Sequence, residues 1–226
     1  MAVKQRIPLA RAETLAAEVV GLLSPACTRL EIAGSIRRRK PHIGDIEIVA
    51  VPKRESLAPL VDLFGNTLTV LSHNVLDALI EHLLMCGILG RRLDVNGRTA
   101  VGERYKRLSY RGFGLDLFSV LPQSGAQWGV IYLLRTGSAR FSHRLVTSRL
   151  LGGWLPVSAR VRDGAIWQGE TLVPTPEEQD VLNYCNLPWI EPSLRTDTVC
   201  PIRGAGIDMA HWFDAHSAVE PQKGGA

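Results

Sequence analysis

Cysteine is scarce and scattered in this 226-residue chain: Cys27, Cys86, Cys185 and Cys200 form no CxxC or CxC pair. That spacing excludes the common zinc and thiol-redox motifs and leads us to expect buried thiols in a reducing compartment. No stretch approaches the ~18 apolar residues of a membrane-spanning helix. The first twenty residues scatter charges through the region that a secretory leader keeps apolar. The expectation is a cytoplasmic, soluble protein with no membrane partner. Long charge runs and repeats of about 20–50 residues are also missing, which excludes disordered and solenoid classes.

What is present suffices for a core. Apolar residues make up 46% of the chain, enough for one large domain or two small ones. The net charge of +4 permits an acidic partner without demanding one. Basic residues group at 37–40, 91–111 and 135–162, whereas Glu177, Glu178 and Asp180 cluster later.

Residues 8–23 carry apolar side chains at helical spacing, and 28–33 read as a strand ending at Gly34-Ser35. The clearest strand is GDIEIVAV, residues 44–51, whose alternation puts Asp45 and Glu47 on one face and Ile46 and Ile48 on the other. Two helices are expected over 57–64 and 75–85, and a hairpin or loop around Asn96-Gly97. A paired strand over 105–110 precedes LDLFSVL, residues 115–121, which carries Asp116. After Pro122, helices are expected over 125–134 and 141–151, then a hairpin around Asp163-Gly164. A helix opens at TPEE, with Thr175 as the capping candidate and Pro176 at its first position. The chain from Thr196 reads as irregular.

The chemistry-bearing constellation is Gly34-Ser35, then Asp45-Ile46-Glu47, then Asp116 on a separate strand. Two carboxylates at i and i+2 of a strand point the same way, about 6–7 Å apart. A third from a neighbouring strand completes an oxygen-only cage suited to Mg²⁺ or Mn²⁺. Two such ions about 3.5–4 Å apart clamp the attacking and leaving oxygens of an in-line phosphoryl displacement. The glycine-serine turn offers N–H groups and a hydroxyl to anionic oxygens, and Arg37, Arg38 and Arg39 follow at once. Each signal alone is commonplace: a D-x-E on a strand is usually a solvated face, and a short arginine run a solvated surface. Their combination points to nucleotidyl transfer.

GS, a basic run and GDIEIVA in this order resemble the nucleotidyltransferase motif of the DNA polymerase beta superfamily, specifically family X DNA polymerases. RGFGLDLFSVLP is similar to the family strand bearing the third catalytic aspartate. WGVIYLLRTGSARFSHRL resembles the helix-turn-helix that opens the thumb, and EEQDVLNYCNLPWIEPSLR its closing segment. The likeness covers residues 8–195.

The resemblance implies an α+β fold: a palm over residues 1–122, with a mixed or antiparallel sheet and helices on one face, then a small α/β thumb over 123–196 and an irregular tail over 197–226. It implies that Asp45 and Glu47 bind both metal ions, and that Asp116 binds the catalytic one and helps activate a primer 3′-hydroxyl. Gly34, Ser35, Arg38 and Gly44 would hold the nucleotide phosphates, with Gly137 and Ser138 beside the incoming sugar. Mg²⁺ or Mn²⁺, two ions per site, dNTP and a primer-template or gapped DNA are the implied cofactors and partners, and a monomer acting in gap-filling repair is the implied setting. Lys106, Arg107, Arg140, Arg144 and Arg149 are the candidate DNA contacts.

The chain departs from the family pattern at three places. Glu47 stands where the family has Asp, Leu134-Arg135 replaces an aromatic pair, and about thirty residues precede the motif, too few for the family's lyase domain. No lyase activity is expected, and the choice between deoxyribose and ribose stays open. The five tryptophans read as packing residues, His42 as an exposed loop imidazole, and His211 with His216 as lacking metal spacing. The rival readings are a template-independent or non-DNA nucleotidyltransferase acting on RNA, a small molecule or protein, and a catalytically silent nucleic-acid-binding module.

Overall fold

Apolar residues alternate through the two carboxylate-bearing segments, and each becomes a strand at the centre of one sheet. In the computed structural model, residues 5–56, 60–61, 67–69, 72–93, 97, 99–122 and 125–198 are described. Along the chain, β1 (Ile7–Pro8), α1 (Leu9–Leu23), β2 (Cys27–Ile32), the single turn α2 (Gly34–Arg37), β3 (His42–Ile43) and β4 (Ile46–Pro52) come first. Short strands β5 (Arg54–Ser56), β6 (Leu60–Val61), β7 (Thr67–Thr69) and β8 (Ser72–Asn74) lead to α3 (Val75–Met85) and β9 (Leu89–Arg91). The hairpin of β10 (Tyr105–Tyr110) and β11 (Phe113–Ser119) completes the first unit. The second holds α4 (Trp128–Thr136), α5 (Ala139–Val146), β12 (Ala159–Arg162), β13 (Ala165–Gln168), β14 (Thr171–Val173) and α6 (Glu178–Tyr184). The fold is α+β.

The main sheet has the order β2-β4-β11-β10-β9. It is mixed: β4 and β11 run parallel, and the other neighbours antiparallel. On one face Ile46, Ile48, Leu108, Leu115 and Leu117 pack beneath α1 and α3, all buried. α1 supplies Ala12, Ala16, Val19 and Leu23, a helical stripe that meets the sheet. α3 is started by Asn74, whose side chain accepts from the N–H groups of Leu76 and Asp77. On the other face Val49, Phe118 and Val120 pack against Trp128 and Tyr132 of α4. The second unit closes its own core around Leu133, Phe141, Trp154, Ile166, Val181 and Ile190.

A buried ion network joins the two units. Arg37 donates two hydrogen bonds of 2.7 Å to Glu178, and Arg195, 0% exposed, donates to the same carboxylate. Burial alone would raise the Glu178 carboxyl, but the hydrogen bonds from Arg37 and Arg195 outweigh it and hold it below the ordinary glutamate range.

Several sequence expectations need correction. Within 57–64, described residues Leu60–Val61 pair antiparallel with β7 where a helix was expected; 57–59 and 62–66 lie outside the described residues. The helix expected over 141–151 ends at Val146, and Arg149–Leu151 form a separate 3-10 turn. Thr175 does not cap α6: Glu177 does, in a reciprocal box with Asp180, because its longer arm reaches the N3 amide. Cys27 and Cys185 are buried, which pushes their thiols up to about 11 and about 12, but Cys86 is exposed at the end of α3. Leu93 pairs with Thr99 across the Asn96-Gly97 region, though residues 94–96 are outside the described set. The same is true of Cys200, His211, Trp212, His216 and the tail from 199.

Candidate active site

The parallel pairing of β4 with β11 sets Glu47 directly beside Asp116 in register. Asp45, just ahead of β4, lies close to β11: a Cβ built on Gly114 would come within 3.4 Å of the Asp45 Cβ. All three carboxylates therefore gather at one end of two adjacent strands. Glu47 feels this crowding: burial first, then the like charges of Asp45 and Asp116, push its carboxyl up to about 7, against the opposing pull of Arg38 and Arg135.

The Gly34-Ser35 turn packs onto Glu47. Gly34 takes φ +63, and a Cβ there would stand 1.8 Å from Glu47 Oε2, so only glycine lets the carboxylate lie against the turn. The Ser35 hydroxyl is buried with no hydrogen-bond partner, as is Nε of Arg38. A ligand or an ordered water at the site would supply the partner that each of these groups lacks.

Arg38 gives its guanidinium to the second unit, donating to the carbonyls of Thr136 and Gly137. Desolvation lowers its pKa. Ser138, rather than facing an open site, caps α5 by accepting from the Phe141 N–H, and its own N–H donates to the Arg195 carbonyl at 3.0 Å. Gly137 is packed so closely on Phe141 that a Cβ would approach its ring to 2.3 Å. Gly44 lies between β3 and Asp45. The segment 136–138 thus borders the carboxylate site through Arg38.

Four arginines surround the carboxylates, Arg38, Arg92, Arg107 and Arg135, and sequence pattern alone does not point to Arg92 or Arg135. Arg92 donates to Oδ1 of Asp116 at 2.6 Å, Tyr105 donates to the same oxygen at 3.0 Å, and Arg107 Nε stands 3.8 Å away. Burial, then the neighbouring Asp116 charge, raise the Tyr105 phenol. Arg135 lays its guanidinium on the Phe118 ring, 3.9 Å from the centroid, and desolvation lowers its pKa. The signal for Arg92 was Gly114, whose missing side chain leaves room for the guanidinium: a Cβ would sit 1.8 Å from Arg92 Nη1.

Among the described residues no three His, Cys, Asp or Glu side chains converge closely enough to hold a metal ion as they stand. The donor set itself fits a hard divalent cation. It is all oxygen, it comes from β4, the residue just before it and the neighbouring β11, and the like charges of Asp45 and Asp116, which add to burial in raising the Glu47 carboxyl, are a repulsion that a cation would relieve.

Of the expected DNA contacts, Lys106 is corrected. Lys106 is 3% exposed, pairs with Asp77 at 2.6 Å and donates to the Gly102 carbonyl, because β10 turns it inward. Arg149 donates to the carbonyls of Trp154 and Cys185 and stays exposed. Arg107 faces Asp116, Arg140 is exposed, and Arg144 lies 5.9 Å from the Trp154 ring centroid. His42 is exposed, as expected. Trp128 and Trp154 are packing residues. No helix among the described residues is long and apolar enough to cross a membrane. No protein-family model matches this chain, and no curated protein matches it in sequence.

Proposed function

We propose that this chain is a metal-dependent nucleotidyltransferase that joins a nucleotide to a primer 3′-hydroxyl, in the manner of family X DNA polymerases acting on gapped DNA. The observation that carries this reading is the placement of Asp45, Glu47 and Asp116 at one end of the parallel β4–β11 pair, with the Gly34-Ser35 turn packed against Glu47. Asp45, Glu47 and Asp116 would hold Mg²⁺ or Mn²⁺, which supplies charge stabilisation to the attacking and leaving oxygens of phosphoryl transfer. The Ser35 hydroxyl is available to donate to a phosphate oxygen. Arg38 fixes the 136–137 backbone beside the site, and Arg135 presents positive charge to it. The work of these residues is positioning and electrostatic stabilisation, with no covalent intermediate on the protein.

The test is extension of a labelled primer on a 5′-phosphorylated gapped duplex with Mg²⁺ or Mn²⁺, comparing dNTPs with rNTPs. Asp116→Ala is expected to abolish addition while leaving nucleotide binding measurable, and Asp45→Ala to remove both metal dependence and addition. Normal turnover in either variant overturns the carboxylate assignment. If the wild type adds nothing to DNA under either metal, RNA and small-molecule acceptors become the leading substrates.

A further inference from the structure

Three of the four arginines around the carboxylates already have partners. Arg38 donates to the carbonyls of Thr136 and Gly137, and Arg92 and Arg107 both pair with Asp116. Arg135 differs. Its guanidinium lies on the Phe118 ring, 3.9 Å from the centroid, and among the described residues it makes no hydrogen bond and no ion pair. Stacking uses only the flat face of a guanidinium and leaves the N–H donors around its edge for a ligand. The side chain is exposed, so a ligand reaches it.

The helix that carries it is held in place. Arg135 lies in the last turn of α4, which packs Trp128 and Tyr132 against Val49 and Phe118. By strand alternation these two residues share a face with Glu47 and Asp116. Tyr132 donates to the Ile32 carbonyl at 3.1 Å, and Arg38 holds the carbonyls of the two residues that follow Arg135. A cation fixed before the substrate arrives needs no reorganisation when charge develops.

The strand order says which part of a substrate Arg135 meets. The Gly34-Ser35 turn packs on Glu47 of β4, whereas Arg107 of β10 and Arg92, just after β9, reach Asp116 from the far side of β11. Arg135 comes between these two groups. Phe118 is two residues beyond Asp116 on the same strand face, and the Arg135 charge acts on both Glu47 and Asp116. With the terminal phosphates of a nucleotide at the glycine-serine turn and the acceptor hydroxyl at Asp116, the group that lies between them is the α-phosphate.

We propose that Arg135 is a catalytic residue that donates to the non-bridging oxygens of the α-phosphate during transfer, an assignment that rests on the nucleotidyl-transfer reading above. In that step the acceptor oxygen bonds to the α-phosphorus and the bond from phosphorus to the oxygen bridging the β-phosphate breaks. Pyrophosphate leaves, and the hydroxyl proton passes by way of Asp116 to solvent. Negative charge sits on the non-bridging oxygens at the transition state, where a preorganised guanidinium contributes most.

The test is single-turnover extension of the labelled gapped duplex with Mg²⁺, using the full chain as wild type, Arg135→Ala and Arg135→Lys. Arg135→Ala is expected to lose about a hundredfold in the rate of addition. Its affinity for a non-hydrolysable α,β-imido dNTP should fall only about threefold to fivefold. Arg135→Lys keeps the charge but loses the planar fork, and its rate should lie in between. Added guanidinium ion should restore addition by Arg135→Ala and leave the wild type unchanged. A dNTP with sulfur replacing one non-bridging α-oxygen should slow the wild type more than Arg135→Ala, which has no contact there to lose. Melting temperatures of the three proteins should agree, because the side chain is exposed. Equal rates overturn the assignment. So does a slow Arg135→Ala that shows an undiminished sulfur effect and no guanidinium rescue, which is the behaviour of a packing residue. If the wild type adds nothing to DNA, binding of the imido dNTP decides. Weaker binding by Arg135→Ala then keeps Arg135 at the phosphate and rejects DNA as acceptor, whereas equal binding overturns both.

Discussion

Arg92 donates to Oδ1 of Asp116 from directly above Gly114, so a glycine on one strand determines which cation partners the central carboxylate of the site. The Asp116 side chain is 12% exposed and the Arg92 side chain 25%, so each partner leans on the other for charge compensation. No donor among the described residues bonds Oδ2 of Asp116, which leaves that oxygen for a ligand.

Removing this cation should make the site more dependent on added metal. Arg92→Ala leaves three carboxylates with less positive charge nearby, so Mg²⁺ should raise its melting temperature by more than it raises that of the wild type. Gly114→Ala should reproduce the effect by expelling the guanidinium. Equal metal-induced shifts in all three proteins would remove Arg92 from the electrostatics of the site.

Glu47 sets a pH dependence of opposite sign to ordinary acid denaturation. Its folded pKa, about 7, lies above the ordinary glutamate value of about 4.5, so the folded state keeps a proton that the unfolded state releases. The metal-free protein should therefore lose stability as pH rises from about 4.5 to about 7, by on the order of 2–3 kcal/mol. Urea denaturation in chelator at pH 5 and pH 8 measures this. Glu47→Gln should flatten the difference, and an unchanged difference would show that Glu47 is not its source.

Glu178 acts the other way. Its depressed pKa gives stability that is present above the ordinary glutamate range and is lost as pH falls through the folded value. Glu178→Ala would strand Arg37 and Arg195 without a counter-charge and should cost about 3–5 kcal/mol. Guanidinium denaturation at pH 7 is the measurement, and a loss below about 1 kcal/mol would mean that the two arginines find other partners.

Lys106 separates stability from nucleic-acid binding. Lys106→Met should lower stability by about 1–3 kcal/mol, because Asp77 loses its partner, while the salt dependence of DNA binding stays as in the wild type. A reduced salt slope would restore Lys106 to the nucleic-acid surface.

The sequence announced the strands that carry the carboxylates because Ile46, Ile48, Leu115 and Leu117 alternate with polar or second-face residues, and a period of two is a local signal. It also announced α1 and α3, where the apolar spacing agrees with the packing. Arg92 stayed hidden because its role depends on β9 pairing with β10, which pairs with β11, so that a residue next to a polar loop arrives above Gly114. The burial of Lys106 is hidden for the same reason: composition marks a charge but not the side of the strand from which it leaves. Ser138 illustrates the competition at helix starts, where a hydroxyl that could face a ligand is taken by a backbone amide three residues on.

The parallel pairing of β4 with β11 has a consequence for the order in which the molecule assembles. β10 and β11 are joined by a two-residue turn and can zip locally, but Glu47 meets Asp116 only after nearly seventy intervening residues have been looped out. Closing that loop is slow relative to hairpin formation. The carboxylates are therefore brought together by a non-local pairing and not by the local hairpin, so mutual repulsion among them weighs on the closure of β4 onto β11 rather than on the formation of β10–β11.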